Sequence, residues 1–264
     1  MLEEFSMDKI FSSPRTSAYR SVLKCSDDRE CLALYLAMME ASSKLLSLLH
    51  ILEVAFRNRL DSEIKILAQS NALPLLRGIP PRRWYESVTY FPAGTHSDMI
   101  SHKKVLKALH GATSPDDVIS RLDLGYWVYL LDPRHENPST PYHFIWQPGV
   151  LAKVFPNITG KTLSSFFKDF KKADDMRNRL CHQEPMWKDR KTVTRSHAFN
   201  NIRLKFGFLL SLLHSICEQS HRMVLETGVL GFEDPKELFS DDSLIRKYYS
   251  RIDIGKRLRE GIYR

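Results

Sequence analysis

Cysteine, glycine and long hydrophobic runs are all scarce in this chain. Its four cysteines form no CxxC pair, which excludes a secreted disulfide framework and indicates a reducing compartment. Its 11 glycines form no phosphate-binding loop, and neither a nucleophile elbow nor a paired-carboxylate motif is present. No stretch alternates apolar and polar residues as a half-buried strand would. These absences argue against a β-rich fold and against the common nucleotide-binding and hydrolase motifs.

The most apolar stretches are short and interrupted by polar groups. They cover residues 45–56 and 206–217 and carry His50, Glu53 and His214. Both fall short of the roughly 20 residues needed to span a bilayer. The opening sequence MLEEFSMDKI is acidic and lacks the apolar run of a signal peptide. We therefore expect a cytoplasmic protein that does not enter a membrane.

Apolar residues recur at helical spacing along most of the chain. Asp27 and Asp28 stand where a helix cap is expected, and Ser42-Ser43 could bend or break the first long helix. Since no strand pattern competes, the sequence predicts an all-α bundle of about four main helices with additional short helices. The longest stripes predict helices over residues 29–68, 163–180 and 195–224.

Shorter elements are indicated by turn and cap residues. Gly111 suits the left-handed end of one helix, and Ser114 suits the start of the next. Four prolines over residues 132–149 predict a long ordered loop, and its aromatic residues Tyr142, Phe144 and Trp146 indicate that part of it packs against the core.

The six residues from Arg177 to His182 stand where an apolar helical stripe ends. An arginine, an amide and an imidazole can together hold a phosphate, orient it and move a proton. Asn178 and His182 are four residues apart, hence on one face if the helix continues through Cys181. Arg177 falls on the apolar stripe, so it needs either a carboxylate partner or a cavity that binds an anion. Asp174 could be that partner, in a buried ion pair that requires no chemistry.

Four separated motifs occur in this order: LEVAFRNRL, DLGYWVYLL, W-x8-FP and MRNRLCHQEPMW. Together, over roughly residues 30–215, they resemble the Abi-like (abortive infection) proteins of the HEPN superfamily. The resemblance implies an all-helical HEPN-like fold and a metal-independent endoribonuclease without a cofactor, whose site forms between two copies in a homodimer. It implies catalytic roles for Arg177, Asn178 and His182. It also implies a role in growth arrest or phage defence, restrained by an antitoxin protein or a non-coding RNA.

This chain departs from the family at Cys181-His182-Gln183, where relatives commonly carry paired histidines. His182 is therefore the only imidazole of the motif. A symmetric dimer would supply the second imidazole that separate acid and base roles require.

The tetrapeptide RNRL occurs twice, at residues 57–60 and 177–180, although the flanking residues do not match. Glu53 and Arg57 are four residues apart on an apolar stripe, which predicts a second charged pair buried where helices pack. This pair is either a salt bridge that sets helix register or, with Asp174, a supporting set that orients Arg177.

Basic residues concentrate around the motif. From Lys161 to Lys205 there are twelve Lys or Arg against five Asp or Glu. This excess suits a polyanionic partner such as RNA, as does the formal net charge of +8. The expected RNA-binding residues are Lys171, Lys172, Arg179, Lys188 and Arg190.

A single helical domain is expected over residues 1–224, followed by a basic helical appendage over 225–264. Residues 245–264 contain seven Lys or Arg against two Asp or Glu. Phosphate contacts are expected from six of these residues: Arg246, Lys247, Arg251, Lys256, Arg257 and Arg259. The alternative is a basic helix that packs on the bundle through its tyrosines and isoleucines.

One metal-like constellation is present, formed by His214, Cys217 and His221 on one side of the last predicted helix. No fourth ligand accompanies it at zinc-site spacing, so ordinary packing is the prediction.

Two functions from different classes remain open. The first is a ribonuclease acting on single-stranded or looped RNA through the 2′-hydroxyl. The second is a non-catalytic RNA-binding or assembly module with the same fold.

Overall fold

The computed structural model describes residue 8 and residues 11–70, 80–90, 96–136, 145–157, 160–227 and 246–252. All regular elements in these ranges are helical, which confirms the all-α class. The α-helices are α1 (Ser13–Ser21), α2 (Asp28–Gln69), α3 (His96–Leu109), α4 (Pro115–Arg121), α5 (Leu124–Leu130), α6 (Val150–Val154), α7 (Leu163–Cys181), α8 (Arg195–Ile216) and α9 (Glu218–Glu226). Two 3₁₀ helices span Pro81–Tyr90 and Pro133–Glu136, and residues 246–252 are also helical. Five residues discussed above lie outside the described ranges: Tyr142, Phe144, Lys256, Arg257 and Arg259.

The chain folds into two compact units, each assembled from several segments. The first unit contains Met1–Leu48, Arg177–Leu210 and Arg222–Arg264, and the second contains Leu49–Met176 and Ser211–His221. Helices α2, α7 and α8 each contribute residues to both units. The predicted domain of residues 1–224 and appendage of 225–264 is a different division and stays a prediction.

Helix α2 is a single unbroken helix of 42 residues, so of the two effects considered for Ser42-Ser43 a break does not occur. The Ser43 hydroxyl donates to the Glu40 carbonyl at 2.8 Å, which satisfies it inside the helix instead of disrupting the backbone. The predicted cap is confirmed, because the Asp27 carboxylate accepts the Glu30 N–H at 2.8 Å. Among the described helices, α2 alone is long and apolar enough to cross a membrane by length and composition. Half of its most apolar window is buried within the fold, as in a core helix.

Aromatic side chains form the core of the second unit. The rings of Phe155 and Phe166 stack face to face with centroids 3.9 Å apart, and Phe56 meets Phe170 at 4.3 Å. These residues come from α2, from the chain after α6 and from α7, so the cluster joins three parts of the unit. Burial of each ring contributes roughly 1.5–3 kcal/mol. Trp146 also packs down as predicted, and its indole N–H donates to the Leu130 carbonyl at 2.7 Å.

Helix boundaries read from turn residues are confirmed where the structure describes them. Gly111 follows α3 with a φ of 71°, which is the left-handed conformation expected of a helix end. The Ser114 hydroxyl accepts the Asp117 N–H at 3.1 Å and caps α4. Helix α7 is capped by Thr162, whose hydroxyl accepts the Ser165 N–H at 3.2 Å.

The last long helix is interrupted, so the predicted single helix over 195–224 is wrong. Helix α8 ends at Ile216 and α9 begins at Glu218. The Asn157 side-chain amide donates to the His214 carbonyl at 2.8 Å, and thereby satisfies a group left open at the end of α8. The Cys217 sulfur accepts the Ser220 N–H at 3.4 Å and caps α9. Contacts on both sides of Cys217 therefore stabilise the break.

The segment 246–252 is anchored within the first unit by Glu40. Its Lys247 ammonium lies 2.8 Å from a Glu40 oxygen, and the Tyr248 hydroxyl donates to the same carboxylate at 2.6 Å. Lys44 adds an ion pair at 3.0 Å. Burial alone would raise the pKa of Glu40, but these donors lower it to about 2 from its ordinary value of 4.5. Tyr248 thus contacts the first unit, as the alternative interpretation expects of the tyrosines in this segment, and Lys247 forms an ion pair beside it.

Replacing Glu40 with glutamine is expected to destabilise the protein by about 1–2 kcal/mol at pH 7. Because the pKa of Glu40 is lower in the folded state, its contribution is complete above pH 4.5 and is lost as pH falls towards 2. Chemical denaturation of parent and variant at pH 7, 5 and 3 measures this difference. Glu226→Gln, at an exposed position, is the control and should change little. A difference that does not shrink at pH 3 would contradict the Glu40 contacts.

Candidate functional site

The motif lies at the C-terminal end of helix α7, and its backbone forms a Schellman turn. The Gln183 N–H donates to the Leu180 carbonyl and the Glu184 N–H to the Arg179 carbonyl, both at 2.9 Å. The His182 N–H donates to the Asn178 carbonyl at 3.0 Å, so the helical pattern continues through Cys181 as the one-face argument requires. His182 is therefore the residue at the helix end, and its side chain is exposed. The turn fixes its backbone while leaving the imidazole accessible.

Gln183 adopts a left-handed backbone with a φ of 55°, where glycine is favoured. A side chain in this conformation costs roughly 1 kcal/mol. Gln183→Gly is therefore expected to stabilise the protein by about 0.5–1 kcal/mol, measured by chemical denaturation. The matched control is Gln219→Gly in helix α9, which should destabilise because glycine weakens a right-handed helix. Equal effects of the two substitutions would contradict the turn geometry.

Arg177 is held by the residue that follows it. Its Nη1 donates to Asn178 Oδ1 at 3.0 Å, so the arginine and the amide form one unit. Met176 takes the fully buried position with 4% exposure, and Arg177, which was predicted to fall on the apolar stripe, is half-buried. Asn178 is exposed. The pair therefore borders solvent at the edge of the stripe, and needs no burial of an isolated charge.

In both copies of the repeated tetrapeptide, the first arginine donates to the side-chain oxygen of the asparagine that follows it. Arg57 Nε donates to Asn58 Oδ1 at 3.3 Å, as Arg177 does to Asn178. Arg59 donates to the Lys153 carbonyl at 2.7 Å, and Arg179 likewise donates to backbone carbonyls downstream of it. The final leucine is buried in both copies. The two copies therefore share the arginine–asparagine contact and the buried leucine, whereas the second arginine has different partners in each.

The three predicted supporting residues, Glu53, Arg57 and Asp174, lie in the second unit and differ in burial and contacts. Glu53 and Arg57 are half-buried, so the expectation of a buried charged pair is wrong. Arg57 also donates to the Ser120 carbonyl at 3.5 Å. Asp174 is 8% exposed, and its carboxylate would lie 3.4 Å from a side chain added at Gly125. Their role in orienting Arg177 stays a prediction.

Gly125 belongs to the DLGYWVYLL motif and is surrounded by charged groups. A side chain there would meet the Lys104 ammonium at 2.7 Å. That ammonium pairs with Asp123 at 2.7 Å, and Asp123 caps helix α5 by accepting the Tyr126 N–H at 3.0 Å. Lack of a side chain at Gly125 therefore leaves room for Lys104 and the Asp174 carboxylate in the second unit.

The predicted RNA-binding residues differ in how freely they could meet a phosphate. Arg179 Nε donates to Glu184 at 3.0 Å and its Nη2 to the Pro185 carbonyl at 3.3 Å, so this side chain braces the turn after α7. A phosphate contact by Arg179 would compete with these bonds. The side chains of the other four residues are exposed: Lys171, Lys172, Lys188 and Arg190. Among them, the Lys171 ammonium lies 3.9 Å from the Asp175 carboxylate.

A cavity of about 590 Å³ opens beside His182 within the first unit. Helix α1, the first half of α2 and the turn after α7 provide its walls. Arg177 and Asn178 are not among the described residues that line it. Lining residues with functional groups include Arg15, Tyr19, Ser43, His182, Trp187 and Lys188.

One wall of the cavity is fixed by buried hydrogen bonds. The Trp187 indole donates to the Tyr19 hydroxyl at 3.2 Å, and burial raises the pKa of Tyr19 well above its ordinary value. Asn201 on α8 donates to the Trp187 carbonyl at 3.1 Å. These contacts hold the turn after α7 against α1. The wall is therefore rigid on the side where His182 lies.

The residues of the metal-like constellation, His214, Cys217 and His221, make contacts within the protein. The rings of His214 and His221 meet edge to face with centroids 5.1 Å apart. Burial alone would raise the pKa of Cys217, but hydrogen bonds from Ser220 and Gln219 N–H groups and the nearby Arg59 charge lower it. Within the ranges described above, no group of three or more His, Cys, Asp or Glu is arranged to hold a metal ion.

The sequence alone did not reveal the cavity, because its lining comes from segments far apart in the chain. Arg15 and Ser43 belong to no local motif that marks them as neighbours of His182. The one available signal was Trp187 at the end of MRNRLCHQEPMW, close to the motif in sequence. No family model, curated protein or solved structure matches this chain.

Proposed function

We propose that this protein is a metal-independent endoribonuclease with a HEPN-like fold, related to the Abi-like proteins. The observation that carries the proposal is the end of helix α7, where Arg177 and Asn178 form one hydrogen-bonded unit and His182 is exposed four residues later. These three groups supply charge, orientation and proton transfer without a metal ligand. The motif resemblance described above supports the same assignment.

The reaction is transesterification at an RNA phosphate. His182 accepts the proton of the 2′-hydroxyl as its oxygen bonds to phosphorus, and the bond to the 5′-oxygen breaks. A general acid protonates that leaving oxygen, which gives a 2′,3′-cyclic phosphate and a 5′-hydroxyl. Arg177 neutralises charge on the phosphate in the transition state, and Asn178 fixes its position.

A homodimer is part of the proposal, because each motif contains one imidazole and the reaction uses both a base and an acid. A two-fold axis would bring a second His182 as the acid. By family resemblance, the biological role would be RNA cleavage during phage infection, restrained otherwise by an antitoxin protein or a regulatory RNA. The exposed lysines near the motif, Lys171, Lys172 and Lys188, would hold the RNA backbone.

A non-catalytic RNA-binding module is the second candidate. One observation favours it: among the described residues, His182 lines the cavity, but Arg177 and Asn178 do not. In that case the cavity would bind RNA and the arginine–amide pair would be structural.

Incubation of the purified protein with single-stranded RNA in excess chelator separates the two candidates. A ribonuclease is expected to yield fragments that end in 2′,3′-cyclic phosphate, with activity unaffected by the chelator. End-group analysis by mass spectrometry identifies these products. Binding without fragments would replace the ribonuclease proposal with the binding module.

A further inference from the structure

We propose that the cavity beside His182 binds one nucleotide of a single-stranded RNA, next to the phosphate at which His182 acts. This inference names the substrate contact and rests on the proposed function. At about 590 Å³, the cavity falls within the range of roughly 300–1,000 Å³ typical of small-ligand sites, which accommodates a nucleoside with its phosphate.

The charge at the cavity favours an anion. Arg15 and Lys188 are both exposed and both line it, as does His182. The one lining carboxylate, Glu184, is 3.0 Å from Arg179 Nε and is thereby neutralised by a residue that does not line the cavity. A phosphate at the mouth would thus meet basic groups without an opposing free acid.

The start of helix α1 adds to this preference. Ser12, Pro14 and Arg15 all line the cavity, and the Ser12 side chain caps no backbone N–H. The helix N-terminus therefore presents partial positive charge beside Arg15. Among the described residues, two of the three non-glycine residues with positive φ are Ser12 and Gln183, and both line this cavity.

The deeper wall suits a base. Met39 and Leu46 supply accessible apolar surface, and Tyr19, Tyr35 and Trp187 also line this wall although only 5%, 8% and 1% of each residue is exposed. The hydroxyls of Ser42 and Ser43 and the Gln183 amide provide hydrogen-bonding groups for base edges. An aromatic and apolar wall with a few polar groups and a basic mouth is the chemistry that single-stranded nucleic acid sites share.

Helix α2 offers a matched pair of substitutions. Ser43 and Ser47 are one turn apart, both exposed, and both donate their hydroxyl to a backbone carbonyl, at 2.8 and 3.1 Å. Of these two, Ser43 lines the cavity and Ser47 does not. Ser43→Trp is therefore expected to fill the cavity, whereas Ser47→Trp adds the same bulk outside it.

The probe is a fluorescent octanucleotide with 2′-O-methyl groups at every position, which cannot be cleaved through the 2′-hydroxyl. Fluorescence anisotropy is expected to show that Ser43→Trp weakens its binding at least tenfold, while Ser47→Trp stays within twofold of the parent. Lys188→Glu should weaken binding similarly, and Lys191→Glu, at an exposed lysine that does not line the cavity, much less. The lysine pair decides the question if Ser43→Trp does not fold.

Three results would overturn the inference. The first is no binding of the octanucleotide to the parent, and the second is an equal effect of both substitutions in the deciding matched pair. The third is that a 5′-mononucleotide displaces the probe as effectively as an unlabelled octanucleotide does. The last result would assign the cavity to free nucleotides instead of RNA. Because the probe resists cleavage, its binding does not depend on catalysis. Loss of binding in Ser43→Trp, without any RNA cleavage by the parent, would refute the ribonuclease proposal and leave the nucleotide site in place.

Discussion

Replacing His182 with alanine is expected to lower RNA cleavage by roughly 10²–10⁴-fold, the range that general acid–base catalysis contributes. The imidazole is exposed at the end of helix α7, so its removal should leave the melting temperature nearly unchanged. Initial rates on a defined single-stranded RNA, measured with excess chelator, give the activity. Thermal denaturation gives the stability.

The matched control for this substitution is His197→Ala. His197 is also exposed and also belongs to the first unit, on helix α8. It should retain parental cleavage. Cleavage by His182→Ala at the parental rate would show that His182 is not the proton carrier and would refute the ribonuclease assignment. The binding module would then be the better account of the site.

Removal of the Arg177 guanidinium is expected to have the second largest effect, a loss of roughly 10²–10³-fold in kcat/KM from lost stabilisation of phosphate charge. Unlike His182, Arg177 is half-buried and bonded to Asn178, so Arg177→Ala should also destabilise the fold by about 1–2 kcal/mol. Arg177→Lys keeps a charge but loses the planar fork. It should therefore recover stability better than it recovers activity.

A second arginine–asparagine pair provides the control for Arg177. Arg203 on helix α8 is exposed and donates to Asn200 Oδ1 at 2.6 Å. Arg203→Ala removes a comparable charge and a comparable hydrogen bond at a distance in sequence from the motif, and should leave kcat/KM unchanged. If Arg177→Lys regained full activity, a positive charge alone would suffice and the requirement for the planar guanidinium of Arg177 would be refuted.

Local sequence signals were sufficient for the helices and for several of their ends. The caps at Asp27 and Ser114 and the left-handed turn at Gly111 depend on contacts within a few residues, so they could be predicted and are confirmed. The apolar stripe of α7 predicted its buried face for the same reason. Ser42-Ser43 does not break α2, because serines can equally satisfy their hydroxyls on the helix backbone.

The motif itself could be found from sequence, but the environment of its side chains could not. A period of three or four residues allows either Met176 or Arg177 to face the core, and packing selects methionine because burying an apolar side chain is favourable whereas burying a guanidinium costs desolvation free energy. Likewise, the bonds from Arg179 to the turn after α7 depend on the path of that turn. Spacing alone therefore could not separate a phosphate-binding arginine from a structural one.

The amino-acid sequence determined the helical class, the position of the Arg177–His182 motif at a helix end, and the basic character of its surroundings. Periodicity, capping residues and charge are properties of neighbouring residues, and they survive without tertiary structure. Only the tertiary structure decided the break at Cys217, which Asn157 stabilises through the His214 carbonyl 57 residues away, and the cavity that joins Arg15 and Ser43 to His182. These features arise from contacts between distant segments, whose pairing depends on how the whole core packs.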